Sequence, residues 1–289
     1  MELNNGLRKF TRFFLVRILI GSFALIATVA FTDLVIFSIL KILRVGSAAT
    51  SLIINLVDSM AALVFYFQVF KALEKRKITE LSRDNFFGLA SFGFLLGLIL
   101  QSFFIFVIYL AGGYKIIDIN PFYFILHSLS TALMAGFVAE LLIRGIFFRI
   151  LEEKLGTLIS LLIAIVVFAF AHAGKEGAGI LSIAATTSEA GFMLSAAFIY
   201  SRSLWLPIFL HIAWDFVEPG IFGAINPGNS IKESWFTSEF TGSSIITGGR
   251  LGPQNSIQSL LLCTITGILF LWLAHRKNRL IKPFWRNGG

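Results

Sequence analysis

Residues 86–111 read FFGLASFGFLLGLILQSFFIFVIYLA, a run from Phe86 to Ala111 without one charged side chain. At about 1.5 Å per residue a helix of this length reaches roughly 39 Å, enough to cross a hydrocarbon core of about 30 Å. A helix apolar on every face needs a bilayer or the centre of a large protein around it. Working outward, seven further runs have the same character: Phe13 to Leu40, Ser51 to Phe70, Pro121 to Leu151, Leu155 to His172, Ala178 to Tyr200, Ser203 to Val217 and Ser256 to Ala274. The chain of 289 residues is 56% hydrophobic and only 14% charged, where soluble domains carry about 25% charged residues. A soluble enzyme, a nucleic-acid binder and a disordered scaffold are excluded. The expected fold is all-α, a polytopic membrane protein of about eight transmembrane helices in one domain over residues 1–289. The seventh run is short, and tilt or kinks absorb the excess length of others.

A net charge of +8 suggests a polyanion until the basic residues are placed. With the N-terminus inside, sixteen of the 24 Lys and Arg residues fall on cytoplasmic segments. Six (Lys41, Arg44, Lys115, Lys175, Lys232 and Arg250) fall on the other face, and Arg17 and Arg144 lie within helices. That asymmetry is the positive-inside signature, so both termini are expected in the cytoplasm and no nucleic-acid partner is required. Arg8, Lys9 and Arg12 precede the first run as in a signal peptide, but the run is about twice the length of an h-region and reads as an uncleaved helix. Residues 218–255 form a long extracytoplasmic loop between the seventh and eighth helices. It is rich in Gly, Ser and Thr, with Pro219, Pro227 and Pro253 opposing regular helix, and is either a lid or a mobile connection. The single cysteine, Cys263, allows no intrachain disulfide, and no repeat or low-complexity tract is present.

Ionisable residues inside a membrane are costly and mark function by default. Asp33 and Asp58 stand alone and read as helix-end or packing residues, and His127, one turn before Thr131, as a hydrogen-bonded core histidine. Glu189, in Thr186-Thr187-Ser188-Glu189, needs a partner or a proton. The others form pairs. Glu140 and Arg144 are four apart on one helix face and can pair. Phe168 and His172 repeat that spacing on the next helix, as do His211 and Asp215 on the seventh. Each pair alone is ordinary, but three pairs on three spans of a chain with four histidines make a constellation. At 1.5 Å per residue Glu140 lies roughly 15 Å, His172 about 25 Å and His211 to Asp215 about 10 to 18 Å from the inner helix ends. A shared level in the inner half to middle of the bilayer, in a cavity open to the cytoplasm, is therefore expected from helices 4, 5 and 7.

At these residues the chain resembles the CPBP intramembrane proteases, a family including type II CAAX prenyl endopeptidases and bacterial bacteriocin-processing or self-immunity proteins. Ala139-Glu140-Leu141-Leu142-Ile143-Arg144-Gly145 is similar to its first motif, Glu-Glu-x-x-x-Arg, usually followed by Gly. Phe168 to His172 matches Phe-x-x-x-His, His211 to Asp215 matches His-x-x-x-Asn/Asp, and Ser203-Leu204-Trp205-Leu206-Pro207-Ile208 also looks like the family. The resemblance implies hydrolysis of peptide bonds in membrane-associated or lipidated peptides by general-base activation of water. It implies that the first glutamate and His172 hold the water, that His211 and Asp215 stabilise the oxyanion, and that Glu140 pairs with Arg144. Here the first-glutamate position is Ala139, so the chain is expected to be catalytically impaired.

Other readings of the residues stay open. Asp215 stands where the family often has Asn, and a protonated carboxyl can donate as an amide does. Two histidines and a carboxylate (His172, His211 and Asp215) are also acceptable zinc ligands, with Glu176 four residues beyond His172. No His-Glu-x-x-His motif is present, the nearby glycines oppose helix around Glu176, and metal-independent chemistry without a cofactor is the expectation. An ion- or proton-coupled transporter using Glu140, Arg144, Glu189 and Asp215 is a second class, and a non-catalytic peptide or lipid binder a third. The expected partners are membrane lipid and a peptide or lipidated protein.

Overall fold

The computed structural model describes residues 13–174, 179–224 and 234–286. Arg8, Lys9, Arg12, Lys175, Glu176, Gly177, Ala178, Pro227 and Lys232 lie outside the described residues. Helices α1 (Phe14–Ile42), α2 (Ser47–Glu74) and α3 (Phe86–Leu110) come first. They are followed by α4 (Phe122–Leu155), α5 (Thr157–Ala173), α6 (Ile180–Ser201), α7 (Trp205–Phe216) and α8 (Ile257–Arg276). Six of these are long and apolar enough to cross a membrane, whereas α5 and α7 have only 17 and 12 residues. The expected eight crossings therefore stand at six by length among the described residues.

The reason is clearest at α7. Its apolar positions are buried almost completely, including Leu206, Ile208, Leu210, Ile212 and Trp214. It packs on α3 and α4 and also touches α6. A helix walled in by other helices needs no lipid-spanning length, and an apolar run this short suits the centre of a protein. The outer helices behave oppositely. Phe23 and Phe31 on α1, Phe87 on α3 and Phe170 on α5 are between 66% and 81% exposed, an apolar girdle that water would not tolerate and lipid does.

The architecture is helical, as expected, with two short strands added to it. Strand β1 (Tyr114–Ile119) follows α3, and β2 (Phe236–Phe240) lies between α7 and α8. They pair antiparallel, with Lys115 opposite Glu239 and an irregularity between Ile116 and Asp118. Asn120 locks the far end by donating to the Ser234 carbonyl at 3.0 Å and the Thr237 hydroxyl at 2.9 Å. Both strands are too short, and their partners too distant in sequence, to stand out beside long apolar runs.

Regular helix gives way to π turns at Leu141–Phe148 in α4, Thr187–Met193 in α6 and Val217–Ile221 after α7. Such bulges rotate the side chains around them and occur often at functional sites. Two glycines let helices meet here. A Cβ on Gly136 would lie 2.6 Å from the Ile212 side chain, so α4 and α7 touch through backbone. One on Gly191 would lie 3.2 Å from the Ile165 Cα and 3.3 Å from the Phe168 Cβ, so α6 presses against α5 one turn before His172.

At the end of the bundle where α2 and α4 finish, charged side chains form a lattice. Glu74 receives Arg17 and Arg76 at 2.5 Å and Arg149 at 2.9 Å. Buried Glu80 receives Arg76 and the Tyr66 hydroxyl, each at 2.6 Å. Buried Glu152 takes Arg202 at 2.6 Å. Burial alone would raise the Glu80 carboxyl, but the hydrogen bonds from Arg76 and Tyr66 and the charge of Arg149 outweigh it and hold this group below the ordinary glutamate value.

Candidate active site

Helices α4, α5, α6 and α7 wall one cavity of about 430 Å³, a size common for small-molecule and peptide sites. Its lining includes Ala139 and Arg144 from α4, Phe168 and His172 from α5, Glu189 from α6, and His211 and Asp215 from α7. The motif residues on helices 4, 5 and 7 thus meet, and α6 adds a fourth wall that the three motifs did not include.

Glu140 stands behind the cavity and is fully buried. Its Oε1 receives Arg144 Nη1 at 2.8 Å, the pair expected from the four-residue spacing, and the His211 ring through Nδ1, also at 2.8 Å. The close approach at Gly136 is what brings α7 near enough for the second contact. Arg144 is itself 0% exposed. Its guanidinium carbon lies 5.4 Å from the Phe168 ring centroid, and Nε and Nη2 have no hydrogen-bond partner among the described residues. Idle donors on a buried cation are costly, so this side chain carries unused binding capacity beside the cavity.

His172 is oriented by its own helix. Its Nδ1 lies 2.9 Å from the Phe168 carbonyl oxygen. A carbonyl only accepts, so Nδ1 carries the proton and, in the neutral ring, Nε2 keeps its lone pair. The ring is nearly parallel to Phe168, at 6.1 Å between centroids. His211 is held differently, with Nδ1 on Glu140 and Nε2 3.3 Å from Asp215 Oδ2. A ring flanked by carboxylates on both nitrogens donates to both only when both nitrogens are protonated. Its long contact is the one to Asp215, whose side chain is 35% exposed.

Glu189 is 5% exposed and makes no hydrogen bond or ion pair among the described residues, although His211, Asp215, Arg144 and Glu140 are all within electrostatic reach. The polar run Thr186 to Glu189 in an otherwise apolar helix was the signal for it. The remaining candidates lie elsewhere. Asp58 accepts from the Thr32 hydroxyl at 2.6 Å and joins α2 to α1. Asp33 is exposed, and His127 does not line the cavity.

Gln254 and Asn255 close one side of the cavity. The Gln254 backbone N–H donates to Glu218 at 2.9 Å, and Thr186 donates to Asn255 at 3.0 Å. The last part of the connection over 218–255 is therefore a cover. The end of the cavity away from the Arg/Glu lattice is set by His172 next to the last residue of α5, by the first half of α6 and by the cover.

Among the described residues no group of three or more His, Cys, Asp and Glu side chains is arranged to hold a metal ion. His172, His211 and Asp215 do not form such a group. Glu176 lies outside the described residues.

No curated protein and no solved structure matches the chain. A family match covers the segment holding all three motifs and the four cavity helices. Residues 121–217, about a third of the chain, match the family model described as Type II CAAX prenyl endopeptidase Rce1-like, and over this segment the resemblance to the CPBP intramembrane proteases is shown.

Proposed function

We propose that the chain is a multi-pass membrane peptidase that hydrolyses peptide bonds of membrane-associated or lipidated peptides, with both termini cytoplasmic and α5 and α7 completing eight helical layers. The observation that carries this reading is one cavity receiving Arg144, His172, His211 and Asp215 from three ordered motifs. The lone pair of His172 Nε2 holds the attacking water. His211, anchored through Nδ1 by Glu140, turns its Nε2–H from Asp215 to the oxyanion that forms on the carbonyl. The Glu140–Arg144 pair keeps that anchor in place. Ala139 occupies the first-glutamate position and lines the cavity without an acid, so α4 supplies no carboxylate to deprotonate the water and catalysis by the family's route is impaired. The chemistry uses no metal.

The test is incubation of the purified protein in lipid nanodiscs with a farnesylated C-terminal peptide and with an unprenylated apolar peptide, products being identified by mass spectrometry. Cleavage by the wild type or by Ala139→Glu that survives chelation and disappears in His172→Ala supports the proposal. If neither protein cleaves either peptide, the reading fails. Binding without cleavage by Ala139→Glu would then indicate a binder, and vesicle flux abolished by His211→Ala a transporter.

A further inference from the structure

Resting on that peptidase reading, we propose that Glu189 is the catalytic residue that activates the water, supplying from α6 the carboxylate that Ala139 withholds from α4. Both residues line the same cavity with His172. Glu189 is almost fully buried, yet no described residue hydrogen-bonds or ion-pairs with its carboxyl group. A carboxyl group in that position is an expensive vacancy unless something in the cavity uses it.

Local structure directs it there. The π turn Thr187–Met193 holds Glu189, and two residues later Gly191 lets α6 come within side-chain-free contact of α5 at Phe168. That is the residue whose carbonyl orients His172. The same short stretch of helix therefore carries the acid and brings its wall against the histidine. Arg144, with Nε and Nη2 idle, borders the cavity as a counter-charge for the ionised form.

The step balances without a co-reactant. The Glu189 carboxylate takes one proton from a water held by His172 Nε2, while the water oxygen bonds to the peptide carbonyl carbon. The carbonyl π pair moves to its oxygen, giving an oxyanion that accepts from His211. Collapse re-forms the carbonyl and breaks the C–N bond as the proton passes from Glu189 to the leaving nitrogen. The products are a carboxylic acid and an amine, and Glu189 is ionised again.

Four proteins in nanodiscs test this against the farnesylated peptide: wild type, Glu189→Gln, Ala139→Glu, and the double variant Ala139→Glu/Glu189→Gln, with thermal unfolding as the folding control. The expected result is cleavage by the wild type, a loss of at least ~100-fold in Glu189→Gln, and recovery of at least tenfold in the double variant. A second substitution, Glu189→Asp, should retain more activity than Glu189→Gln at equal thermal stability. Cleavage by the wild type that Glu189→Gln leaves intact overturns the assignment but not the peptidase reading. So does cleavage confined to variants carrying Ala139→Glu. No cleavage by any of the four overturns both.

Discussion

Asp215 shows how one side chain can be constrained by a neighbour without sharing its role. Its Oδ2 faces His211 Nε2 at 3.3 Å while a third of the group remains exposed, so it steadies the ring and yields it readily. Asparagine presents the same carbonyl oxygen to the ring. Peptide cleavage by Asp215→Asn is therefore expected within about threefold of the parent, whereas Asp215→Ala leaves Nε2–H unheld and should lose tenfold or more. Equal losses in the two variants, measured on one peptide, would mean that the negative charge itself matters. His172 and His211 illustrate why spacing was enough to find the site. A four-residue interval places each beside its partner on one helix face, and those intrahelical contacts are local. What sequence could not supply is interhelical: that Glu140 reaches across to His211, and that Glu189 opens into the same space. The polar run at 186–189 marked Glu189 as unusual, but nothing along the chain said which way α6 would turn it.

At the scale of elements, glycine sets the distance between walls. A side chain at Gly136 must enter space held by Ile212, with the Ile208 carbonyl 3.2 Å from the added Cβ. Gly136→Val is expected to push α4 from α7, cost about 1–3 kcal/mol and stretch the Glu140–His211 contact. Thermal unfolding in detergent would register the loss, and an unchanged midpoint would show that the helices slide apart freely. The lattice at the other end responds to acid. Because the folded state holds Glu80 below its ordinary value, its contribution is complete at neutral pH and is lost only as pH falls below roughly 4.3 toward the folded value. Glu80→Gln should lower the unfolding midpoint at pH 7, and the gap from the parent should narrow toward pH 3. A gap constant with pH would remove the carboxylate charge from the account. Long apolar runs made the helices legible, since length and composition are local properties. The strands and the carboxylates of Glu74 and Glu152 were not, because partners 50 or more residues away hold them in place.

For the whole molecule, the two ends of the bundle differ. One carries the ion-paired lattice, and the other carries the cavity and its cover. With cytoplasmic termini the cavity would face the opposite compartment, and this can be measured. Cys263 is buried, so single added cysteines report cleanly. Ile183→Cys at the cavity should react with a membrane-impermeant maleimide from the same side as Thr241→Cys, and His275→Cys from the other. Labelling of Ile183→Cys together with His275→Cys would reverse the assignment. The pairing of β1 with β2 has a further consequence for biogenesis. The helical walls of the cavity, from Ala139 to Asp215, lie between these two strands in the chain, and the covering residues Leu251, Gln254 and Asn255 follow them. A ribosome must therefore finish every wall before it makes the segment that ties down the roof.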